Sequence, residues 1–491
     1  MEYSEDAVSL LAQDPGITTK RQPQFALGQF AILCCLRMLD PITFHQIIPY
    51  INQLVMDLGI VDSPAQVGFY SGMIESIFAV TGLFAVLFWG ILADDIGRRP
   101  VILIGCAGLA VGTMLFGFAT TYPTILICRA LVGFFAGNGS VLPTAVGDIT
   151  DASNKDTYFP IFACFWPLGM IIGPIIGGQL SKPAARFLVL KDSLFFRQFP
   201  YALPSIVVAG LIFVIWGLAF FFLSETANSY HLRSEKRTIS VTLVARRLLD
   251  KPGAIVVLLS GQNPMLQALC YSGVITGFLS VAFDVVFTLF CYTPLESGGL
   301  SFPPEKIAFC FAVAGAVSTL QAFIMPHFLR RYGPERIYWM CTCSWPLAFI
   351  AIPFLNLIAL GAVIGPSPVW MEIFLWICIA VILTIVRIGG AAFLYNTRIL
   401  SDYLPSENLA TGIGLLQVCV QFSRIFGPMV ASGLFVASKE YDLVGGHLWA
   451  LLLAICGVGA AFTGRQVDLR ASRKDRSYGR SRDFLMTRRD S

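Results

Sequence analysis

Between two long apolar runs the chain reads Gly90-Ile91-Leu92-Ala93-Asp94-Asp95-Ile96-Gly97-Arg98-Arg99-Pro100. This stretch predicts a tight turn between two packed helices. Gly90 allows close helix approach, and Gly97 permits a turn conformation that residues with a Cβ resist. Asp94 can face the N-terminus of a neighbouring helix, where a negative charge is favourable. The basic pair that follows should hold the turn on the cytoplasmic side of a membrane.

The composition of the chain fits lipid as its main solvent. Of 491 residues, 56% are hydrophobic and 13% are charged, whereas soluble domains carry about 25% charged residues. A soluble fold with this balance would expose too much apolar surface. The 13 cysteines lie mostly in apolar runs and form no Cys-x-x-Cys pair, which predicts packing residues and neither a disulfide framework nor a metal site.

The apolar runs have the length of membrane-spanning helices, which need about 20 mostly apolar residues. Transmembrane β-strands would be about ten residues long and alternate in polarity, so a β-barrel is excluded. The sequence therefore predicts an all-α membrane protein with twelve spans. Their approximate limits are 27–50, 68–92, 101–120, 123–146, 158–180, 202–223, 267–291, 305–327, 336–358, 369–394, 409–435 and 447–463.

A long polar stretch divides the twelve spans into two sets of six. The predicted units are an N-terminal tail 1–24, a six-helix bundle 25–223, a central loop 224–264, a second bundle 265–463 and a basic tail 464–491. Most Lys and Arg residues fall in the termini and alternate loops, which predicts that both termini and the central loop are cytoplasmic. The outer loop 181–199 is the basic exception. A short apolar piece at 254–259 predicts a surface helix, and the tail is expected either to be disordered or to contact anionic lipid.

Residues 90–100 resemble the signature loop of the major facilitator superfamily, G-x-L-a-D-r-x-G-r-r/k. Asp95 is a departure, because the family usually has a basic residue there, and one salt bridge of the family pattern is therefore in question. Arg129 and Gly133 in span 4 resemble the family pattern R-x-x-x-G. The resemblance covers residues 25–463.

Span 5 resembles the proton-coupled antiporter branch of this family, which carries the element G-x-x-x-G-P-x-x-G-G. Small residues at a spacing of four let two helices approach closely, and Pro174 bends the helix. Such a helix would suit a rocking interface between the two halves. The matching residues are Gly169, Gly173, Pro174, Gly177 and Gly178.

The second half of the chain echoes the first. A degenerate copy of the signature loop occupies 328–336, and Arg387 in span 10 echoes Arg129. The resemblance therefore implies the major facilitator fold, with two six-helix pseudo-repeats and a substrate site between them. The details are most similar to fungal and plant drug:proton antiporters, including zinc-induced-facilitator-like members, although the Cys-Pro-Gly-Cys element of the plant group is absent.

Ionisable residues at membrane depth are costly, so they are candidate functional groups. Arg37 and Asp40 are three apart and share a helix face. Burial favours a neutral carboxyl group and a nearby arginine favours the charged form. Separation and re-pairing of these two residues could therefore couple proton uptake to proton release, or the pair could be static and fix helix packing. Glu75, which either faces the cleft or joins this pair, and Asp284 are further proton-coupling candidates.

Other polar residues within the spans are candidates for the cleft or its gates. Arg129 should contribute to cleft charge or to a gate, and Glu372 should lie at the outer interface. Gln417, Gln421 and Arg424 share one face of span 11, where they either line the cleft or hydrogen-bond to other helices. Similar candidates for the cleft are Trp166, Tyr70, Tyr395 and Asn396.

The sequence shows no enzyme signature, because it contains neither a P-loop lysine nor a Gly-x-Ser-x-Gly elbow. We therefore expect no cofactor, no metal and no nucleic-acid partner. The expected function is export of a small organic molecule, such as a drug, by antiport with protons. Uptake by proton symport and a non-transporting sensor are the alternatives. We expect a monomer in the plasma membrane, although an acidic dileucine-like pattern at 6–11 would suit vacuolar sorting.

Overall fold

The computed structural model describes residues 27–61, 66–151, 154–226, 264–364, 368–403 and 406–487. The tail 1–24 and the surface helix predicted at 254–259 lie outside the described residues. Within the described part the chain is helical and contains no β-strand.

Among the described residues, twelve helical segments are long and apolar enough to cross a membrane, and they coincide approximately with the predicted spans. This confirms the predicted fold class. Numbered 1 to 12 in chain order, the spans are Leu27–His45, Val67–Ile96, Arg98–Gly117, Tyr122–Ile149, Thr157–Leu180, Ala202–Phe222, Pro264–Tyr292, Pro304–Met325, Pro334–Val363, Val369–Ala392, Val418–Glu440 and Leu448–Arg470.

Several spans are composite or continue beyond the apolar window. Span 4 joins helices Tyr122–Ala136 and Leu142–Ile149 through the 3-10 turn Gly137–Ser140, and span 9 joins Pro334–Thr342 and Ser344–Ile364. The longer helices are Lys155–Leu180, Pro304–Tyr332, Pro368–Tyr403, Ser406–Glu440 and Leu448–Thr487. Short helices at Ile51–Asp57, Pro183–Arg186 and Leu194–Gln198 lie in loops. The last helix continues to Thr487. The expectation that the tail is disordered is therefore wrong for residues 464–487.

The turns after spans 2 and 8 have the same backbone geometry, although their sequences differ. Gly97 has φ 98° and ψ 164°, and Gly333 has φ 79° and ψ 156°. Each glycine donates its N–H to the carbonyl four residues earlier, Ala93 and Leu329, at 3.2 Å. Glycine adopts positive φ at little cost, so the degenerate second copy keeps the turn.

Large apolar side chains form a separate core in each half. One cluster is drawn from spans 1–6 and includes the fully buried Leu33, Ile102 and Val208. The largest cluster comes from spans 7–12 and their loops and includes Trp345 and Trp449, with Ile48 of the first half added. Each half therefore buries its own apolar side chains.

The two halves contact each other from mid-span, where a Cβ at Gly315 of span 8 would lie 3.1 Å from the Ile171 N atom of span 5, to the span ends that lie away from the signature loop. A Cβ added at Gly72 of span 2 would lie 2.9 Å from the Pro428 carbonyl oxygen of span 11. A Cβ at Gly178 of span 5 would lie 2.8 Å from the Pro304 carbonyl oxygen of span 8. In the predicted orientation this is the outer side of the membrane.

Candidate functional site

The R-x-x-x-G pattern of span 4 places a buried arginine against span 2. A Cβ at Gly133 would lie 3.0 Å from the Cα of Phe78, so this glycine permits close approach of the two helices. One turn earlier, Arg129 is 1% exposed, and its guanidinium lies 4.7 Å from the Phe78 ring centroid and 5.4 Å from that of Phe44. Within the described part of the chain its Nε and Nη1 atoms have no hydrogen-bond partner. Glu75 is the main opposing charge.

Glu75 lies close to the seam between the two halves. Its side chain is 7% exposed, and it follows Gly72, which packs on span 11, by one helical turn. Arg129 of its own half acts on Glu75 as the opposite charge, and Asp284 of the other half acts on it as a like charge. The charges of both halves therefore act on this buried carboxyl group.

Asp284 of span 7 forms an ion pair within the second half. Its Oδ1 accepts a hydrogen bond from Arg387 Nη2 at 3.1 Å, with side chains 19% and 11% exposed. Arg424 of span 11 adds a second positive charge near this carboxylate. Spans 7 and 11 pack closely here, since a Cβ at Gly277 would lie 3.0 Å from the Ser423 hydroxyl oxygen.

His45, at the end of span 1, marks the place where these charges converge. The ring is 6% exposed, and Nδ1 donates a hydrogen bond to the Pro41 carbonyl at 2.8 Å. Three arginines act on it, two from the second half and one from the first: Arg387, Arg424 and Arg129. The sequence alone assigns this histidine no role, because no local pattern shows which residues surround it.

We call the group assembled from both halves the central charge cluster. Its members are Glu75, Arg129, Asp284, Arg387, Arg424 and His45.

Arg37 and Asp40 lie apart from this cluster, inside the first half. The Arg37 guanidinium lies over the rings of Trp166 at 4.5 Å and Phe162 at 5.5 Å, both in span 5. The half-buried Asp40 carboxylate faces Gly139 of span 4, and Arg37 is the charge that acts on it. The charges of the described side chains of Arg37 and Asp40 attract each other, but these two side chains do not form a direct ion pair. Of the two placements considered for Glu75, the one beside this pair is not observed.

The glycines of span 5 pack mainly against span 1. A Cβ at Gly169 would lie 2.7 Å from the Met38 carbonyl oxygen, and one at Gly173 would lie 2.7 Å from that of Ile42. Gly177 faces Gln46 more closely still, whereas Gly178 faces span 8 of the other half. The stripe therefore joins two helices of one half, and only its last residue belongs to the interface between halves. Span 5 also packs against span 8 of the other half through residues such as Ile171, and a rocking interface at this helix stays a prediction.

The signature loop is held by a carboxylate from the chain that follows span 6. Glu225 accepts hydrogen bonds from the backbone N–H groups of Arg98 at 2.9 Å and Arg99 at 3.1 Å. Arg98 also forms an ion pair with Asp148, at the end of span 4, at 2.8 Å. The helix N-terminus is thus covered by Glu225, whereas Asp94, expected in this role, is exposed.

Basic residues of the outer loop 181–199 are used in ion pairs. Lys182 contacts Asp57 at 2.8 Å, and Arg186 contacts Glu305 of the second half at 2.7 Å. Tyr201 also donates to Asp57, and burial together with this hydrogen bond raises the pKa of its phenol. The positive charge that departs from the orientation rule therefore has local acidic partners.

The remaining cleft candidates are scattered. Tyr395 and Asn396 are buried in the second half, at 4% and 1% exposed. Gln421 is half-buried, and the side chain of Gln417 lies outside the described part. Tyr70 lines an outer groove of about 470 Å³ between spans 2 and 11, away from the central charge cluster. Glu372 forms an exposed ion pair with Lys306 at 3.3 Å.

Comparison with known proteins gives one family over most of the chain. The Major Facilitator Superfamily model matches residues 30–428. The chain is 32% identical over 486 residues to the Major facilitator-type transporter psiT2 of Psilocybe cyanescens, covering 91% of each chain. It is 26% identical over 473 residues to the Efflux pump azaK of Aspergillus niger, covering 95% of this chain and 94% of the pump.

More distant relatives and solved structures agree with this result. Protein ZINC INDUCED FACILITATOR 1 of Arabidopsis thaliana is 22% identical over 472 residues, with 91% of this chain and 94% of the relative covered. The crystal structure of the nucleoside transporter NupG aligns with a TM-score of 0.60 and 15% identity. That alignment covers 89% of this chain and 98% of NupG, and it supports the fold.

Proposed function

The chain belongs to the Major Facilitator Superfamily, as a multi-pass membrane transporter and not an enzyme, and on this premise we propose that it exports a small organic molecule in exchange for protons. The observation that carries the proposal is the position of Glu75. This buried carboxyl group lies close to the seam between halves, where Arg129 of its own half and Asp284 of the other half are the charges that act on it.

The position of Glu75 supports a coupling mechanism by alternating access. Transporters of this architecture move by rigid-body rocking of one half against the other. Such rocking leaves the distance from Glu75 to Arg129 unchanged and alters its distance to Asp284. Because like charges disfavour each other's ionisation, the proton affinity of Glu75 changes with the conformation. A group with this property links protonation to the direction in which the site opens.

Asp40 is the second proposed proton site. Its opposing charge, Arg37, lies on the same helix and stacks on span 5 of the same half. Rigid-body rocking preserves this arrangement, so Asp40 responds less directly than Glu75 to the change of state. A local movement of Arg37 away from Trp166 would be needed for Asp40 to take part.

The direction of transport is proposed from the relatives. A relative that aligns over nearly the whole chain is named as an efflux pump. The contacts between halves at the outer ends fit an inward-facing state, which receives substrate from the cytoplasm. We further propose a monomer in the plasma membrane with both termini cytoplasmic.

Proton flux in sealed proteoliposomes tests this function. The wild-type chain is compared with Glu75→Gln and Asp40→Asn, with Glu372→Gln as the control carboxyl at the exposed end of a span. We expect substrate-dependent proton movement opposite to the substrate, abolished by Glu75→Gln, reduced by Asp40→Asn and retained by Glu372→Gln. Proton movement in the same direction as the substrate would mean symport. No solute movement in folded protein would favour a sensor.

A further inference from the structure

We propose that the transported molecule carries an oxyanion, either a carboxylate or a phosphate group, which binds at Arg424 with Arg387 beside it. The inference deepens the proposed transport function and rests on it. It does not depend on the direction of transport or on the proposed proton sites.

The first argument is the charge balance of the central charge cluster. Among the described residues, three arginines face two carboxyl groups there, and His45 adds no negative charge. An uncompensated charge within a membrane protein is costly. Protonation of either carboxyl group would increase the positive excess further. A ligand with one negative charge would balance the cluster as it stands.

The second argument is the supply of hydrogen-bond donors. The Nε and Nη1 atoms of Arg129 and the Nε atom of Arg387 are buried and have no hydrogen-bond partner among the residues that the structure describes. Buried donors are usually paired. Guanidinium groups favour carboxylate and phosphate oxygens, to which they donate two parallel hydrogen bonds. The unpaired donor of Arg387, unlike those of the buried Arg129, lies beside the proposed contact at Arg424 and has the chemistry that an oxyanion satisfies.

The third argument identifies which arginine a ligand can reach. Arg129 is buried, and Arg387 is already bound to Asp284 at 3.1 Å. Arg424 is exposed, although it lies near both Asp284 and His45, on spans of opposite halves. Its accessible surface is consequently directed toward the space between the halves. Arg424 is the first contact, and Arg387 becomes available when the ligand replaces Asp284.

Asp284 acts in this arrangement as an internal competitor. Its carboxylate occupies the same guanidinium group that an external oxyanion would bind. Removing the negative charge of Asp284 should therefore strengthen oxyanion binding. A misfolded variant would instead bind the oxyanion more weakly, so the two outcomes can be told apart.

The test measures binding of matched probes to the purified full chain in detergent by isothermal titration calorimetry. The probes are naphthalene compounds that differ in one substituent: carboxylate, phosphate, carboxamide or methylammonium. We expect the first two to bind at least tenfold more tightly than the last two. Arg424→Gln should lose tenfold or more in oxyanion affinity, and Arg424→Lys should retain part of it. The control Arg465→Gln replaces an arginine of span 12 that lies beside Trp339 of span 9, and it should leave binding unchanged.

Asp284→Asn supplies the decisive comparison, with an expected severalfold gain in oxyanion affinity. Preferred binding of the methylammonium probe, unchanged affinity in Arg424→Gln, or weaker oxyanion binding in Asp284→Asn would each overturn the proposal. Uptake of the same probes into proteoliposomes distinguishes a failure of the proposed transport from a failure of the proposed anion site. Oxyanion binding without movement across the bilayer refutes transport but supports the anion site. Transport of only neutral or cationic probes refutes the anion site and leaves transport intact.

Discussion

The Glu225 carboxylate accepts hydrogen bonds from the backbone N–H groups of Arg98 at 2.9 Å and Arg99 at 3.1 Å. Glu225 lies 127 and 126 residues away from them in sequence. These two donors belong to the first turn of span 3, where helical N–H groups have no partner in their own helix. The carboxylate thus satisfies donors and complements the positive end of the helix dipole. It also ties the start of the central loop to the signature loop.

Replacing Glu225 by Ala should destabilise the folded protein by about 1 kcal/mol, the usual magnitude for loss of an N-terminal cap. Glu225→Gln should cost less, because one amide oxygen can still accept. Thermal unfolding in detergent measures both. Asp94→Asn, at an exposed carboxylate of the same loop, is the control and should change little. Equal effects of Asp94→Asn and Glu225→Ala would contradict the assignment of the cap.

Replacing Gly173 by Ala should impair folding, because the new Cβ would lie 2.7 Å from the Ile42 carbonyl oxygen and 3.1 Å from its Cα. Backbone atoms on both sides leave no flexible side chain that could move away. The yield of monodisperse protein after size-exclusion chromatography reports the effect. Gly210→Ala in span 6, where an added Cβ meets no atom of the described residues within 4 Å, should be tolerated. Normal yield of Gly173→Ala would show that spans 1 and 5 are farther apart.

Replacing Arg129 by Gln should destabilise the protein by about 3 kcal/mol or more, because it leaves Glu75 buried without its main opposing charge. The double variant Glu75→Gln with Arg129→Gln should recover most of this loss. The comparison uses thermal unfolding of the two single variants and the double variant. Additive losses would mean that the two side chains do not interact.

Replacing Glu305 by Gln should shift the protein toward an outward-open state. The variant loses the 2.7 Å ion pair with Arg186, which joins the halves on the outer side. A partly exposed pair contributes about 1 kcal/mol or less, so the population should change by up to about fivefold. Spin labels on genetically encoded residues at positions 191 and 297, which spare the native cysteines, would report longer distances in the variant.

Arg197→Gln is the control for this experiment. It removes an exposed ion pair with Asp192 inside the first half and should leave the distance distribution unchanged. A variant with exchanged charges, Arg186→Glu with Glu305→Arg, should restore the shorter distances. Identical distributions in wild type and Glu305→Gln would rule out this ion pair as a determinant of outer closure.

The number of spans, their approximate limits and the family could be predicted from sequence because each rests on local properties. An apolar run of about 20 residues must be helical in lipid, since its backbone groups have no other partners. The turn at Gly97 needs a residue without a Cβ, and the repeat at Gly333 obeys the same requirement. The candidate ionisable residues could also be predicted from sequence, because a charge within an apolar run is costly wherever its helix packs.

Which of those charges meet was decided only by the tertiary structure. Arg37 and Asp40 are close in sequence and lie in one half. Glu75 and Asp284 come from opposite halves, and the charge of Asp284 acts on Glu75. The sequence determined twelve spans, their connecting turns and the inventory of buried charge. The packing, rotation and tilt of the helices determined the partners. These depend on contacts between residues far apart in sequence, such as Gly133 with Phe78, which no local pattern encodes.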